Sequence, residues 1–305
     1  MTYFDNILET IGKTPIVKLN KISKNLEAEI FAKIESFNPG SSIKDRAALS
    51  MIEEAEKKGL ISKGSEIAEV TSGNTGIGLA LVCAVKGYEL TIFMPENASA
   101  ERQKIMRAFG ASIVLTPADE LIEGALNRAK EHCSESKDIF LVNQFINKAN
   151  PEVHRKTTAQ EIWEDMNQDI DVFISCVGTG GTITGTGEAL KEHNPKIHII
   201  AVEPKDSPIL SGGKAGVHNL EGMGAGFIPD VLNTEIYDEI VSISKEEAYE
   251  ASRLLARKEG IFAGKSSGAA LATAIKYAKR SKKKERIIII LPDTGERYLS
   301  TDLWQ

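Results

Sequence analysis

Strand-like and helix-like patterns alternate along most of the chain, and this alternation constrains the fold more than any other feature. Short apolar runs, separated by segments of helical periodicity, occur at 65–69, 89–94, 112–115 and 139–143. The same order returns further on, with apolar runs at 172–177, 198–202 and 287–291. Strands joined through helices pair in parallel, because each connection must cross back over the sheet. The sequence therefore predicts an α/β protein with parallel sheets covered by helices.

The alternation restarts near residue 150, so the simplest division of the 305 residues is into two α/β halves that meet at 144–151. Ligands of such folds bind where strand ends and loops converge, and we expect the site in the cleft between the halves. Regular periodicity is lost at 204–233, which is rich in glycine. An irregular stretch of this length in a compact domain usually has a function.

The composition argues against several classes of protein and indicates a cellular compartment. The net charge of −6 argues against a dedicated nucleic-acid surface. The three cysteines lie far apart in the sequence and predict neither a disulfide framework nor a metal-binding pair. The longest aliphatic run, 287–291, is too short to span a bilayer, and the N-terminus does not resemble an export signal. We therefore expect a cytoplasmic protein that does not span a membrane.

One lysine stands at the start of a predicted helix, directly after a tight turn. Pro39 and Gly40 break the preceding segment, and the next two residues are serines that can cap a helix. Lys44 then falls in the first helical turn, where the dipole disfavours an ammonium and favours the neutral amine that a Schiff base needs. A surface lysine in a charged cluster is the alternative, and the segment alone does not separate the two.

Three polar loops are each predicted to follow a strand and to open a helix, where backbone N–H groups point at anions. The loop 71–76 offers hydroxyls and an amide, which suit a carboxylate. The loop 178–182 has three glycines, which let the chain approach a phosphate closely. The loop 264–268 places two hydroxyls before a helix. Plain helix capping is the alternative for the first and third loops.

A dinucleotide site at 178–182 is a competing interpretation, since Glu203 lies at a suitable distance downstream to bind a ribose. The glycine spacing does not fit G-x-G-x-x-G, however, and the five histidines lack metal-ligand spacing, which indicates surface or capping roles for them. A reactive lysine, an anion loop and two polar loops remain. This set matches a pyridoxal phosphate (PLP) enzyme, in which a lysine binds the cofactor and a glycine-rich loop binds its phosphate.

Several segments together resemble the cysteine synthase (O-acetylserine sulfhydrylase) family of fold type II PLP enzymes. They follow the family's order over nearly the whole chain, at the Lys44 segment, 71–76, Gln144 with 150–155, 178–182, 221–229, 266–269 and 292–297. The resemblance implies a tryptophan synthase β-like architecture with two three-layer parallel-sheet domains. It assigns 37–145 to a smaller, mobile domain, and 1–36 with 146–305 to a larger one.

The resemblance also implies a role for each matching residue. Lys44 is expected to form the Schiff base and to remove the substrate Cα proton. Ser266 would face the pyridine nitrogen, and Asn74 would bind the ring hydroxyl and contact the substrate. The residues implied for the phosphate are Gly178, Thr179, Gly180, Gly181 and Thr182. Those implied for the substrate carboxylate are Thr71, Ser72, Thr75 and Gln144.

In the family's usual direction, O-acetyl-L-serine loses acetate to give an α-aminoacrylate, and sulfide then adds to its β-carbon to give L-cysteine. A serine at the pyridine nitrogen cannot stabilise a full positive charge there, which favours rapid loss of the β-substituent. Three alternatives stay open: breakdown of cysteine to hydrogen sulfide, thiol replacement of the cystathionine or lanthionine type, and a non-catalytic role in binding the C-terminal tail of serine acetyltransferase. The resemblance also implies a homodimer.

The chain departs from the common family pattern near the expected substrate. Val70 stands where proline is usual, Ile146 begins a tripeptide that replaces Glu-Asn-Pro, and Lys265 replaces an aliphatic residue. Asp230 adds a carboxylate, interpreted either as a solvated loop acid or as a general base that activates water or a thiol. We expect these positions to decide whether cysteine is the product or the substrate.

Overall fold

A computed structural model of the protein describes residues 3–305, so Met1 and Thr2, assigned above to the larger domain, lie outside the described residues. The strands are β1 (Ile16–Lys18), β2 (Glu29–Ile34), β3 (Glu66–Val70), β4 (Glu89–Pro95), β5 (Ser112–Thr116), β6 (Ile139–Leu141), β7 (Val172–Cys176), β8 (His198–Pro204), β9 (Glu239–Ile243) and β10 (Arg286–Leu291). The helices are α1 (Lys44–Lys57), α2 (Asn74–Lys86), α3 (Ala100–Ala108), α4 (Leu121–Glu135), α5 (Ala149–Val153), α6 (Ala159–Asp165), α7 (Gly181–His193), α8 (Lys245–Leu254) and α9 (Lys265–Ser281).

The chain divides into two compact units. Of the described residues, the first contains 3–11 together with Asn38–Asn150, and the second contains Gly12–Phe37 with Pro151–Gln305. Residues 3–11 group with the first unit in this division, whereas the resemblance assigns 1–36 to the larger domain, and that assignment stays a prediction. The mobility expected for 37–145 stays a prediction.

The first unit is built on a four-stranded parallel sheet in the order β5-β4-β3-β6. Ala68, Val70 and Phe93 of the sheet pack against Ala125 and Ala129 of α4. The helix α2 contacts β3 and β4, and α1 packs on α2. Because α2 is apolar on nearly all sides, it lies buried between the sheet and α1.

The second unit is built on a six-stranded sheet in the order β1-β2-β10-β7-β8-β9. The edge strand β1 is antiparallel to β2, and the other pairs are parallel. Alternate residues of β10, such as Ile287 and Ile289, share one buried cluster with Ala248 of α8 and Ala270 of α9. The strands β7 and β10 thus lie at the centre of the sheet, and the chain leaves β7 directly into the loop before α7.

The predicted α/β architecture with parallel sheets is confirmed. Two features were not predicted: the strand β9, and two π-helical turns within the helices that the sequence predicts over 151–166 and 245–258. The π-helical turn His154–Thr158 joins α5 to α6, and Leu255–Glu259 extends α8 at its C-terminal end. Four of the five β9 residues are only partly buried, so that strand has a weak apolar signal. Among the described residues, no helix has the length and apolar character needed to cross a membrane.

Candidate active site

Lys44 is the first residue of α1, and a tight turn sets its position. The Ser41 N–H donates to the Asn38 carbonyl at 2.7 Å, and Ser41 itself has a left-handed backbone with φ of 60°. The Gly40 N–H donates to Oδ2 of Asp45 at 2.5 Å. A Cβ at Gly40 would lie 2.5 Å from the other oxygen of that carboxylate, so glycine is required here. The hydrogen bond from Gly40 to Asp45 therefore fixes the tight turn against the first turn of α1.

The serine capping predicted for this helix takes a different form in the structure. Ile43 occupies the N-cap position without a capping side chain, and Oγ of Ser42 accepts the Lys44 N–H at 3.3 Å. The start of α1 lies directly on α2, because a Cβ at Gly78 would come within 3.0 Å of the Lys44 carbonyl oxygen. The sequence-predicted lysine thus lies beside the helix that the polar loop 71–76 opens.

The loop 71–76 is organised around hydroxyl groups. Its helix, α2, begins at Asn74 with Gly73 at the N-cap, and no side chain caps it. Oγ1 of Thr71 accepts the Gly73 N–H at 3.1 Å. Oγ1 of Thr75 donates to Oε1 of Gln144 at 2.6 Å, and both of these side chains are buried. The residues expected to bind the substrate carboxylate, including Ser72 between Thr71 and Gly73, therefore lie together within the first unit.

Glu69 is a buried acid that the sequence did not single out. It lies near the end of β3 and is 1% exposed. Its Oε1 accepts the Val70 N–H at 2.7 Å, and its Oε2 accepts the Gln144 N–H at 3.2 Å. Burial raises the pKa of Glu69 to about 7, and the two hydrogen bonds oppose this shift. The carboxylate thus connects the strand before the polar loop to the backbone of Gln144.

The loop 178–182 joins β7 to α7 and is closely packed. A Cβ at Gly178 would lie 2.5 Å from the Gly222 carbonyl oxygen, and one at Gly180 would lie 2.7 Å from Cβ of Leu232. Gly180 also has φ of 86°, a left-handed conformation that other residues rarely adopt. Both positions therefore require glycine for reasons of space, and Gly180 also for its backbone conformation.

His154 corrects the prediction that the histidines have surface or capping roles. It is fully buried, its Nδ1 lies 2.9 Å from Oγ1 of Thr158, and its Nε2 lies 3.4 Å from Oγ1 of Thr182. A π-helical turn, which has no sequence signature, places it against the loop 178–182. Within residues 3–305, no group of three or more His, Cys, Asp or Glu side chains could hold a metal ion.

Glu203 has a structural role in the irregular stretch. It is 2% exposed at the end of β8, and its Oε2 accepts the Leu210 N–H at 2.7 Å. Its Oε1 accepts hydrogen bonds from the hydroxyls of Ser211 and Ser242. These three hydrogen bonds satisfy the buried carboxylate of Glu203, so its burial is explained by contacts within the protein. The glycine spacing of the loop 178–182 already argued against a dinucleotide site.

The third polar loop differs from its prediction, because the two hydroxyls lie inside the first turn of α9 and not before it. The helix begins at Lys265 with Gly264 at the N-cap and no side-chain cap. Ser266 is 3% exposed, and its carbonyl accepts a hydrogen bond from Sγ of Cys176 at 3.1 Å. Oγ of Ser267 is buried without a hydrogen-bond partner. The hydrogen bond from Cys176 to Ser266 connects the end of β7 to the start of α9.

Asp230 is exposed in the irregular stretch. Two residues later, Leu232 packs against Gly180, and its N–H donates to the Pro229 carbonyl at 3.0 Å. The chain around Asp230 is therefore anchored on the loop 178–182. The carboxylate itself is in solvent, which is compatible with both interpretations of its role.

Comparison with known proteins decides the family. Residues 7–293 match the model of the pyridoxal-phosphate-dependent enzyme family. A cysteine synthase of Staphylococcus aureus is 51% identical over 301 residues, which cover 98% of this chain and 97% of the relative. The chain belongs to the cysteine synthase family of PLP-dependent enzymes. The family resemblance, the fold type II architecture and the dependence on PLP predicted from the sequence are confirmed.

Solved structures of this family superpose closely on the chain. An O-acetylserine sulfhydrylase, isoform 3, of Entamoeba histolytica has a TM-score of 0.96 and 44% identity, and the match covers 99% of this chain and 92% of that one. A hydrogen sulfide-producing enzyme of Fusobacterium nucleatum has a TM-score of 0.94 and 45% identity, covering 97% and 100% of the two chains. The same fold therefore occurs in proteins with different described activities.

The residues present fit PLP. The loop 178–182 has two glycines that leave no space for a Cβ, a helix of 13 residues that begins within it, and the hydroxyls of Thr179 and Thr182. Backbone N–H groups at such a helix start, together with hydroxyls, are the donors that a phosphate prefers. Ser266 and the buried, unpartnered hydroxyl of Ser267 add polar groups at the start of a second helix. The chemistry of this donor set matches that of a phosphorylated pyridine.

Proposed function

We propose that this protein makes L-cysteine from O-acetyl-L-serine and sulfide, with PLP as its cofactor. The observation that carries the proposal is the 51% identity, over nearly the whole chain, to a cysteine synthase. The side chains support it, because an amine, a phosphate-binding loop and a carboxylate-binding loop are the groups that substitution at an amino-acid β-carbon requires.

Bound PLP supplies an electron-accepting ring that stabilises negative charge at the substrate Cα and so lets the β-substituent leave. Lys44 is proposed to attach the cofactor and to move the Cα proton at its Nζ. Asn74 is proposed to bind the ring hydroxyl. Ser266 is proposed to hold the pyridine nitrogen through a hydrogen bond, which is neutral and leaves that nitrogen without a full counter-charge.

The substrate carboxylate is proposed to bind at the start of α2. The hydroxyls of Thr71, Ser72 and Thr75 and the amide of Gln144 are its proposed partners, with backbone N–H groups of the first helical turn. The 2.6 Å hydrogen bond between Thr75 and Gln144 supports this role, because it fixes the positions of both side chains. Prior ordering of the donors lowers the entropic cost of binding.

The proposed phosphate site uses Gly178, Thr179, Gly180, Gly181 and Thr182. Contacts of Gly178 and Gly180 with residues of the irregular stretch support it, because they hold the loop in one conformation. His154 lies against Thr182 and is proposed to orient its hydroxyl.

The test compares two reactions of the same purified holoenzyme. One assay follows cysteine formation from O-acetylserine and sulfide, and the other follows sulfide release from cysteine alone. We expect cysteine formation to be the faster reaction. Faster sulfide release from cysteine would overturn the proposed direction while leaving PLP-dependent β-chemistry in place.

Cysteine breakdown to hydrogen sulfide is the second candidate function. A relative described as hydrogen sulfide-producing is 45% identical, so the family's fold is compatible with that reaction. Asp230 is exposed on a stretch anchored to the loop 178–182, and in this reaction it would act as a general base toward water or a thiol. Replacement by thiols of the cystathionine or lanthionine type would use the same groups.

We also propose partners and a setting. A homodimer and binding of the C-terminal tail of serine acetyltransferase are expected from the family, and the tail's carboxylate would use the same donors as the substrate. A cytoplasmic location is supported by three cysteines that are all free thiols. Gel filtration with light scattering, with and without a peptide of that tail, tests the first two.

A further inference from the structure

Lys265 is a buried lysine that the proposed chemistry does not use. It is the first residue of α9, and its side chain is 2% exposed. A positive charge at a helix N-terminus is disfavoured by the helix dipole, and burial removes its hydration. A lysine in this position therefore needs a specific partner.

That partner is Glu221. Nζ of Lys265 lies 2.6 Å from Oε2 of Glu221, whose side chain is 42% exposed. The ammonium also lies over two aromatic rings, 5.3 Å from the centroid of Tyr249 and 5.5 Å from that of Tyr298. The hydroxyl of Tyr298 donates to Oδ2 of the buried Asp293 at 2.7 Å, so that ring is fixed. The ammonium of Lys265 thus lies against both rings and forms an ion pair with the carboxylate of Glu221.

Glu221 begins a short segment, residues 221–224, that touches both proposed cofactor elements of the second unit. A Cβ added at Gly178 would lie 2.5 Å from the Gly222 carbonyl oxygen, so the two backbones are in close contact. The Gly224 N–H donates a hydrogen bond to the Val177 carbonyl at 2.8 Å. A Cβ at Gly222 would lie 3.8 Å from Oγ of Ser266. The segment therefore lies against the first glycine of the phosphate loop and against Ser266.

Two of the four residues in this segment are glycines. Gly222 has φ of 90° and Gly224 has φ of 68°, and both belong to the irregular stretch between β8 and β9. Glycine loses more backbone freedom on ordering than any other residue. Contacts with the rest of the unit are therefore needed to hold the segment in one place. The buried side chain of Met223 and the hydrogen bond from Gly224 anchor its second half, and the ion pair holds its first residue, Glu221.

We propose that Lys265 and Glu221 are positioning residues, whose ion pair holds residues 221–224 against Gly178 and Ser266 and thereby retains the cofactor. This inference rests on the proposed function, because it assumes that the loop 178–182 and Ser266 bind PLP. The pair acts through the backbone of the glycine segment. Its loss loosens the proposed phosphate loop without removing any group that contacts substrate.

The experiment measures the rate of PLP loss from holoenzyme after dilution into a PLP scavenger, followed by absorbance. The variants are Lys265→Met, which keeps the side chain's length without its charge, Glu221→Gln, which keeps its shape, and the double variant. Lys276→Met is the matched control, because Lys276 lies on the same helix and pairs with Glu247 at the same 2.6 Å, but with both side chains well exposed. Circular dichroism of each PLP-free protein shows whether it is folded.

We expect each single variant to lose PLP on the order of tenfold faster than wild type, since breaking a partly buried pair leaves one charge without its partner. The double variant should resemble the singles and not multiply their effects, because one interaction is removed in all three. The control should lose PLP at the wild-type rate.

Two outcomes would overturn the inference. One is an unchanged rate of PLP loss in folded Lys265→Met and Glu221→Gln. The other is a double variant whose effect is the product of the two single effects, which would mean that the residues act independently. Failure of the wild-type protein to bind PLP at all would instead contradict the proposed function, so the two failures are distinguishable.

Discussion

The carboxylate of Glu69 and the backbone N–H of Gln144 are joined by a hydrogen bond of 3.2 Å between residues 75 positions apart in the sequence. A second bond, from the Val70 N–H at 2.7 Å, holds the same carboxylate. Gln144 in turn accepts a hydrogen bond from Thr75. The buried acid therefore supports the side chains proposed to bind the substrate carboxylate.

The raised pKa of Glu69 makes stability depend on pH. Its pKa rises from 4.5 to about 7 on folding, so between these values the folded protein keeps a proton that the unfolded chain has lost. The free energy of unfolding contributed by this group therefore falls as the pH rises through that window, by on the order of 3 kcal/mol. Glu69→Gln cannot ionise, and we expect its stability relative to wild type to increase with pH.

Urea unfolding of both proteins at pH 5 and pH 8 measures this effect. The difference in midpoint between variant and wild type should move in favour of the variant at the higher pH. A difference that stays the same at both pH values would show that Glu69 does not titrate as described.

Removing the hydroxyl of Thr75 should weaken substrate binding. Thr75→Val keeps the shape of the side chain but leaves Oε1 of Gln144 without the donor that lies 2.6 Å away. We expect the KM for O-acetylserine to rise about tenfold, with kcat changed less, because a buried acceptor loses its partner. Thr273→Val is the matched control, since Thr273 is also buried and donates at 2.9 Å, to the Ala269 carbonyl within α9. Equal KM changes in the two variants would contradict the role of Thr75.

A Cβ at Gly180 should damage the proposed phosphate site. Gly180→Ala places a methyl group 2.7 Å from Cβ of Leu232 on a backbone with φ of 86°. We expect weaker PLP binding, measured by equilibrium titration of the PLP-free protein. Gly212→Ala has a similar φ of 81° but open space around the new Cβ, and should cost only about 1–2 kcal/mol of stability from backbone strain. Equal PLP affinity in both variants would argue against a phosphate at this loop.

Asp230→Asn separates the two interpretations of that carboxylate. A general base would be needed after the β-substituent has left, so we expect first-turnover release of acetate from O-acetylserine, or of sulfide from cysteine, to be unchanged and steady-state sulfide release from cysteine to slow. Rapid-quench measurement of the first turnover, beside the steady-state rate, shows which step changes. Asp206→Asn, an exposed acid of the same irregular stretch, is the control. An unchanged steady-state rate in Asp230→Asn would make Asp230 a solvated loop acid.

The regular parts of the fold could be predicted from the sequence because their signals are local. The apolar run predicted at 287–291 lies within β10, Arg286–Leu291, and Lys44, predicted in the first turn of a helix, is the first residue of α1. Apolar runs and glycine stops mark such elements without reference to the rest of the chain. The strand β9 follows the irregular stretch and is mostly half-buried, so its periodicity gave no comparable signal.

The site could be predicted only as a set of loops. Lys44, the loop 71–76 and the loop 178–182 have recognisable residue types, whereas Glu69 is an ordinary strand residue until its burial is known. The burial of His154 depends on a π-helical turn, and the partner of Lys265 lies 44 residues away in the irregular stretch. Such contacts between distant residues are set by tertiary packing, which periodicity does not encode.

Peptide mapping of the holoenzyme after borohydride reduction tests the central claim, that Lys44 attaches the cofactor, most directly. Reduction makes the link between PLP and its lysine permanent, and mass spectrometry then locates the modified residue. We predict the phosphopyridoxyl group on the peptide that contains Lys44, and its absence from the Lys44→Ala protein. Modification of a different lysine, or of none, would contradict the account.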